Sequence, residues 1–339
     1  MLKGPMLFIL LLFAAGTISA QQISILNNRH ACSLRGLSAI NDQIIWVSGS
    51  AGCVGLSTDG GQVWKWLKVP RYEKTDFRDI EAFSDQEAII MGITEPAVIL
   101  RTVDGGLTWT KVFEDSAKSV FLDAMDFSGD TGLVVGDPDS GRIFFAITTN
   151  RGKIWEKINP PGFESISNGE AFFASSGSNL SLIPNSNSAV SFNYTLVSGG
   201  NRSSLFHAGN HFPLTLIQGK ESTGANSIAI NPFDHNQAFI VGGDFKNDTL
   251  QAGNSLQIQF NPFLQTAPVT PPHGYRSCVE YINGGSLICC GTSGVDISID
   301  GGKNWKPISK LSFHVCRRST QGHTVFLAGA NGTIAKLIF

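Results

Sequence analysis

Short apolar runs and turn-forming residues alternate along this chain with the rhythm of strands. In Gln22-Ile23-Ser24-Ile25-Leu26 and in Val190-Ser191-Phe192-Asn193-Tyr194, polar and apolar side chains take turns. A β-strand sends successive side chains to opposite faces, so this period of two predicts half-buried strands. Between the runs stands a repeated octet. Ser57-Thr58-Asp59-Gly60-Gly61-Gln62-Val63-Trp64, Thr102-Val103-Asp104-Gly105-Gly106-Leu107-Thr108-Trp109 and Ser298-Ile299-Asp300-Gly301-Gly302-Lys303-Asn304-Trp305 share the pattern S/T-x-D-x-G-x-x-W. Thr148-Thr149-Asn150-Arg151-Gly152-Lys153-Ile154-Trp155 is a weaker copy with Asn in the Asp place. A short Asp side chain accepts nearby backbone N–H groups and locks a turn. Gly removes the steric cost of the unusual backbone angles. Trp is large enough to wedge into a core just past the turn. Nothing beside the turns supplies sugar or metal ligands. Asp59, Asp104, Asp300, Trp64, Trp109, Trp155 and Trp305 are therefore assigned to structural hairpins.

Spacing sets the architecture. Asp59 to Asp104 is 45 residues, Asp104 to Asn150 is 46, and Asn150 to Asp300 is 150, about three such periods. A repeat of this length in all-β sequence matches four-stranded propeller blades. On these octets the chain resembles the Asp-box (BNR) propellers. The segments Gly169-Glu170-Ala171-Phe172-Phe173-Ala174-Ser175-Ser176-Gly177 and Phe77-Arg78-Asp79-Ile80-Glu81-Ala82-Phe83 are similar, more narrowly, to bacterial relatives of the photosystem II stability/assembly factor. The resemblance spans essentially the whole of 21–339. It implies a non-enzymatic binding or assembly module that meets its partner through a basic patch.

Laid on one another, the repeats predict an all-β fold, a single seven-bladed propeller of four-stranded antiparallel blades. Six or eight blades are the neighbouring counts. The blades run near Ser33–Lys68, Phe77–Phe113, Phe121–Asn159, Gly169–Gln218, Ala225–Val269, Tyr275–Ser309 and Phe313–Phe339. The fourth and fifth lack the octet. The last has room for three strands, so Gln22–Leu26 is expected to supply the fourth and close the ring, removing exposed edges.

Residues 1–20 read as a signal peptide: Lys3, the apolar run Met6 to Ala15, then Ser19-Ala20 as a small-residue cleavage site. No other apolar run is long enough for a transmembrane helix. The expectation is a secreted or periplasmic protein, monomeric by default. Charged residues are 15% of the chain and the net charge is −2, which provides no electrostatic case for nucleic acid. Six cysteines in an exported chain invite disulfides, with their pairing open. Cys278 and Cys316 fall at equivalent places in neighbouring repeats. His207 and His211 do not align in a β context, so no metal site and no cofactor is expected.

In a propeller the innermost strands descend from one face, and the octet turns emerge on the opposite one. The face at the start of the inner strands is therefore the expected working face. Aligning those starts puts Arg35, Arg78 and Arg276 at one shared position, with Asp79 and Asp123 at the next and Glu81 two residues on. The loops reaching the same face add Glu95, Asp137, Asp139, Arg202, Asp244 and Lys246. Arg35, Arg78, Arg276 and Arg202, with Asp79 and Asp123, are thus candidate ligands for a protein, a glycan or another acidic group. The same charges could instead form ion pairs between blades. A glycoside hydrolase is the alternative, with Asp79, Asp123 or Glu81 as paired carboxylates. The Phe-Arg-Ile-Pro signature of sialidases is absent. An oxidoreductase lacks any glycine fingerprint or haem motif.

Overall fold

The computed structural model describes residues 21–27, 30–160, 166–183 and 193–339. Residues 1–20, the expected signal peptide, lie outside them. So does most of the alternating run that starts at Val190.

Seven antiparallel sheets form the ring. Blade 1 is built from Leu34–Ala39, Ile45–Gly49, Cys53–Ser57 and Lys65–Lys68, in order from the axis outward. Blade 2 starts with Phe77–Ala82, blade 3 with Leu122–Ser128, blade 5 with Thr223–Ile230 and blade 6 with Cys278–Tyr281. Blade 7 contains Val315–Arg318, Val325–Ala328 and Ile334–Ile338, and its outermost strand is Gln22–Asn27 from the other end of the chain. Gln22 faces Ile338 and Ile25 faces Ala335 in that antiparallel pair. Both chain ends therefore lie in one sheet, and the ring closes on backbone hydrogen bonds.

Burial explains why alternation is visible in so few places. The second and third strands of blades 1 and 6 are buried at every position, because each is covered on both faces by neighbouring blades. Such strands read as continuous apolar runs. The outermost strand Gln22–Asn27, by contrast, has no fully buried position.

The core consists of layers between blades. Trp46, Val54 and Leu56 of blade 1 pack on Ile80, Ile90, Val98 and Leu100 of blade 2. The octet turns serve these layers. In blade 6, the Ser298 hydroxyl donates to Asp300 at 2.8 Å and accepts the Gly302 N–H at 3.0 Å, while Asp300 accepts the Asn304 N–H at 2.9 Å. Trp305 then lies on Phe239 of blade 5, ring centroids 5.1 Å apart. The second glycine is required by this packing. Gly302 has φ of 89°, and a Cβ there would stand 2.3 Å from the Phe239 ring. The Asn150 turn keeps the hydrogen bonds of its relatives. However, Arg151 takes the left-handed conformation that Gly holds elsewhere, at φ 58°, and the Trp155 indole N–H has no hydrogen-bond partner among the described residues.

Blade 4 departs from the pattern. Its innermost strand is split into Glu170–Ala171 and Leu180–Ile183. The first piece pairs with Gly199–Gly200, and Gly199 pairs in turn with Gly224, so this end of blade 4 is hydrogen-bonded to blade 5. Residues 172–178 leave the ladder, and Asn179 rejoins it by accepting the Val197 N–H at 2.9 Å.

Removal of residues 22–27 is expected to expose Ile334–Ile338 as a free edge and to uncover the cluster against which Ile23 and Leu26 pack. Thermal unfolding should move down by about 5 °C or more. Size-exclusion chromatography should show higher-order species as the edge seeks partners.

Candidate functional site: the channel mouth

The segment 172–178 fills the channel on the ring axis. Its carbonyls and hydroxyls are bound by the innermost strands of five other blades. Arg35 of blade 1 donates to the Ser175 carbonyl at 3.2 Å and Arg78 of blade 2 to the Ala174 carbonyl at 3.4 Å. Arg317 of blade 7 donates to the Ser176 carbonyl at 2.8 Å. The Ser176 hydroxyl donates to the Ser277 carbonyl of blade 6 at 2.7 Å, and Ser175 to Asn226 of blade 5 at 3.0 Å. Gly177 has φ of 65° and lies against Asp79, where a Cβ would stand 2.2 Å from a carboxylate oxygen. The plug separates an upper cavity from a lower one, each of about 490 Å³.

A repeated irregularity aims the upper side chains. In blade 1, Leu34 pairs with Gly49 and Gly36 with Ser48, leaving Arg35 as an extra residue. Arg78, Asp123 and Asn226 occupy the same bulge in blades 2, 3 and 5. A bulge re-aims its extra residue out of the ladder. Arg35 and Arg78 thereby line the upper cavity, together with His314 and, from the walls, Phe121, Phe173 and Tyr275. Arg78 is paired with Asp76 at 2.9 Å, and its guanidinium lies 5.9 Å from the Phe121 ring centre. Arg35 has no carboxylate partner among the described residues. Burial and the Arg78 charge press it below its ordinary range, which leaves it a cation with unspent donors. His314 is pushed down to about 4 by burial and by Arg35 and Arg78, so it is neutral near pH 7 and within 3.2 Å of the Ser33 hydroxyl.

The other expected ligands fall elsewhere. Arg276 is one register position off the Arg35 site, because Gly291 crosses Tyr275 as Gly49 crosses Ser33. Ser277 takes the place assigned to Arg276. Arg276 is instead 1% exposed and ion-paired with Asp296 inside blade 6, where His273 also reaches Asp296 at 2.7 Å. Leu122, aligned with Arg35 by sequence, yields its place to Asp123 by the same one-residue shift. Asp123 is fully buried beside Arg78, with neither oxygen in a hydrogen bond. The nearby amides of Ala174 and Asp137 soften its electrostatics without reaching hydrogen-bonding geometry. Burial, then the Asp137 charge, still raise it well above the usual carboxylate range. Asp79 accepts the Met125 N–H at 2.8 Å and lines the lower cavity. Glu81 lines it too, while Arg202 is exposed on a loop of blade 4. Neither Arg78–Asp79 nor Arg78–Asp123 forms an ion pair among the described residues. The plug residues Ala174 and Ser175 and the wall residue Tyr275 had no signal as site residues, beyond the missing octet and the Ser-Ser-Gly interruption in blade 4.

The lower cavity is acidic. Asp79, Glu81, Asp126 and Glu280 face it around Arg317. Asp79 is buried and the other three are half-buried at the cavity wall, and burial pushes Asp79, Glu81 and Glu280 up to about 8 and Asp126 to about 6.

No family model matches the chain, and no curated protein matches it in sequence. Solved structures match in fold. YCF48 bound to D1 peptide has a TM-score of 0.66 at 16% identity, over 94% of this chain and 95% of that one. YCF48 from Cyanidioschyzon merolae has a TM-score of 0.62 at 19% identity, over 94% and 98%. The WD40 β-propeller domain of Doa1 has 0.63 at 11%, over 95% and 97%. At these identities the likeness is one of fold.

Two outcomes are expected. Arg276→Ala leaves Asp296 buried without its guanidinium and should cost about 3–5 kcal/mol of stability in chemical denaturation. The lower-cavity carboxyls ionise near 4 when unfolded but hold their protons to about 8 when folded. Their contribution is full below pH 4 and is lost as pH rises toward 8. His314 has the opposite sign, its stability being lost as pH falls from 6.5 toward 4, and offsets only one carboxyl. Melting temperature should therefore fall between pH 5 and 8. A Glu81→Gln/Glu280→Gln variant should recover about 3 °C at pH 8 and little at pH 4.

Proposed function

We propose that the upper channel mouth is a binding site for an acidic peptide segment of a partner protein, and that the chain works as an exported binding or assembly module of the Asp-box kind. The observation that carries this reading is Arg35. It is a sequestered cation without a carboxylate, next to Arg78 and a neutral imidazole, above aromatic walls. Guanidinium groups offer paired donors that match a carboxylate, and the rings of Phe121, Phe173 and Tyr275 suit apolar neighbours of that carboxylate in the same segment. The plug below makes the mouth a cup, so a ligand docks on it and does not thread the ring. A structural neighbour of the same fold is YCF48 bound to D1 peptide, which supports a peptide as the ligand class.

Hydrolysis draws less support. Asp123 lines neither cavity. Asp79 and Glu81 share the lower one, but burial raises both to about 8, so neither supplies the ionised partner that a glycosidase pair requires near neutral pH. A glycan carrying a carboxylate is the competing ligand for the same cup.

Fluorescently labelled acidic decapeptides containing Phe and Leu, with neutral analogues as controls, test the assignment by anisotropy. Arg35→Ala and Arg78→Ala are each expected to weaken binding of the acidic peptides about tenfold or more, each with some loss of order in the plug carbonyl it holds. Raising salt should weaken the wild type and leave the residual binding of the variants almost unchanged. Equal affinity for acidic and neutral peptides, or no effect of either substitution, would remove the cup as the binding site. Displacement by uronic-acid oligosaccharides alone would reassign the ligand to a glycan.

A further inference from the structure

The six cysteines form two unlike groups. Cys278, Cys289, Cys290 and Cys316 are buried in blades 6 and 7. Within this group Cys278 is spoken for: Arg317 donates to its sulfur at 3.0 Å, and its thiol donates to the Cys316 carbonyl at 3.2 Å. Cys32 and Cys53 are elsewhere, at the seam of the ring. Cys32 lies on the segment that leaves the ring-closing strand Gln22–Asn27 and enters blade 1. Its carbonyl accepts the Gly332 N–H of blade 7 at 2.7 Å, and the nearby Leu34 N–H donates to Gly329 at 3.0 Å. Cys53 opens the third strand of blade 1. The two sulfurs are 2.8 Å apart, inside van der Waals contact for unbonded thiols, and the residues are 5% and 2% exposed.

We propose that Cys32 and Cys53 form a disulfide that clasps the ring-closing segment to blade 1, while the other four cysteines stay reduced. The bond is independent of whatever the channel mouth binds.

A metal is the competing use of this pair, because His30 completes a group of three donors whose ligand atoms lie within 4.8 Å of one another. Two thiolates on a tetrahedral zinc, each about 2.3 Å from the ion, would stand about 3.8 Å apart. The sulfurs are far closer than that. The His30 ring lies flat on Trp66, centroids 4.0 Å apart and planes 2° from parallel. Lys68 also places a positive charge beside the group. Each of these opposes a cation, and none opposes an S–S bond.

The step is a thiol–disulfide exchange. The two cysteine thiols lose two protons and two electrons as one S–S bond forms. An oxidised dithiol carrier, or oxidised glutathione, accepts them as its own S–S bond opens into two thiols. Exchange needs a thiolate. In the closed fold the contact with Cys32, together with burial, pushes the Cys53 thiol up, so the native pair is slow to react. The bond therefore forms while blade 1 is still open, and it thereafter keeps the seam from opening from the N-terminal side.

The full chain, unfolded with reductant and refolded in mixed reduced and oxidised glutathione, provides the test. Alkylation in denaturant without reductant, followed by peptide mapping, should recover Cys32 and Cys53 in one linked peptide and the other four cysteines alkylated. Addition of reductant should lower the melting temperature by about 5 °C or more, and a Cys32→Ser/Cys53→Ser variant should lose that sensitivity to reductant. Six alkylated cysteines, a linked peptide joining a different pair, or stoichiometric zinc retained through both thiols would each overturn the proposal. The peptide map of the wild type decides the matter even if the double variant fails to fold.

Discussion

Seven wedge-shaped sheets arranged around an axis leave a hole, and a hole lined by inner-strand residues must be filled or hydrated. Here it is filled by the chain itself. Residues 172–178 leave the ladder of blade 4 and are held by Arg35, Arg78 and Arg317, which donate to three consecutive carbonyls at 174–176. Without partners, those carbonyls would be buried acceptors on the axis, and each would cost free energy comparable to a lost hydrogen bond. The three arginines therefore both close the channel and set its electrostatics.

The plug also divides the chemistry of the axis. Above it, Arg35 and Arg78 share a cup with Asp137, aromatic rings and a neutral His314, and Arg35 has no carboxylate in ion-pairing range among the described residues. Below it, four carboxyls share the cavity with Arg317 and Arg318, and burial raises Asp79, Glu81 and Glu280 to about 8, which keeps them largely protonated near neutral pH. Proton uptake there is the cheaper response to burial, because a cluster of ionised carboxylates in a low-dielectric space repels itself. The two ends of one channel thus carry opposite preferences with only a few residues of backbone between them.

Ring closure is a separate constraint. Gln22–Asn27 completes the last blade, and the residues leading into blade 1 hydrogen-bond to it as well, Cys32 to Gly332 and Leu34 to Gly329. Blades 6, 7 and 1 share one continuous apolar cluster across this seam. The seam is accordingly as well packed as any other boundary between blades, although it is the only one among the described residues that joins distant ends of the chain.

The blade count, the strand-exchanged closure and the turn octets were legible in the sequence, because each depends on local chemistry repeated at a fixed period. Asp and Gly make the same turn wherever they recur, and Trp fills the same gap on the preceding blade. That Arg35 and Arg78 share one place was legible for the same reason, since they occupy one position of the repeat, and both line the upper cavity. Arg276 was not placed correctly, because Ser277 and not Arg276 stands in blade 6 where Arg35 stands in blade 1, and a one-residue shift changes which side chain faces the axis. The plug was hidden more deeply. Its residues are neither charged nor periodic, and their role exists only because five other blades bring donors and acceptors to the axis. The pairing of Cys32 with Cys53 belongs to the same class: it depends on where a crossing segment meets a strand 21 residues later. Local periodicity determined the ring; the contents of its axis and seam were decided by tertiary structure, where the partners come from different repeats.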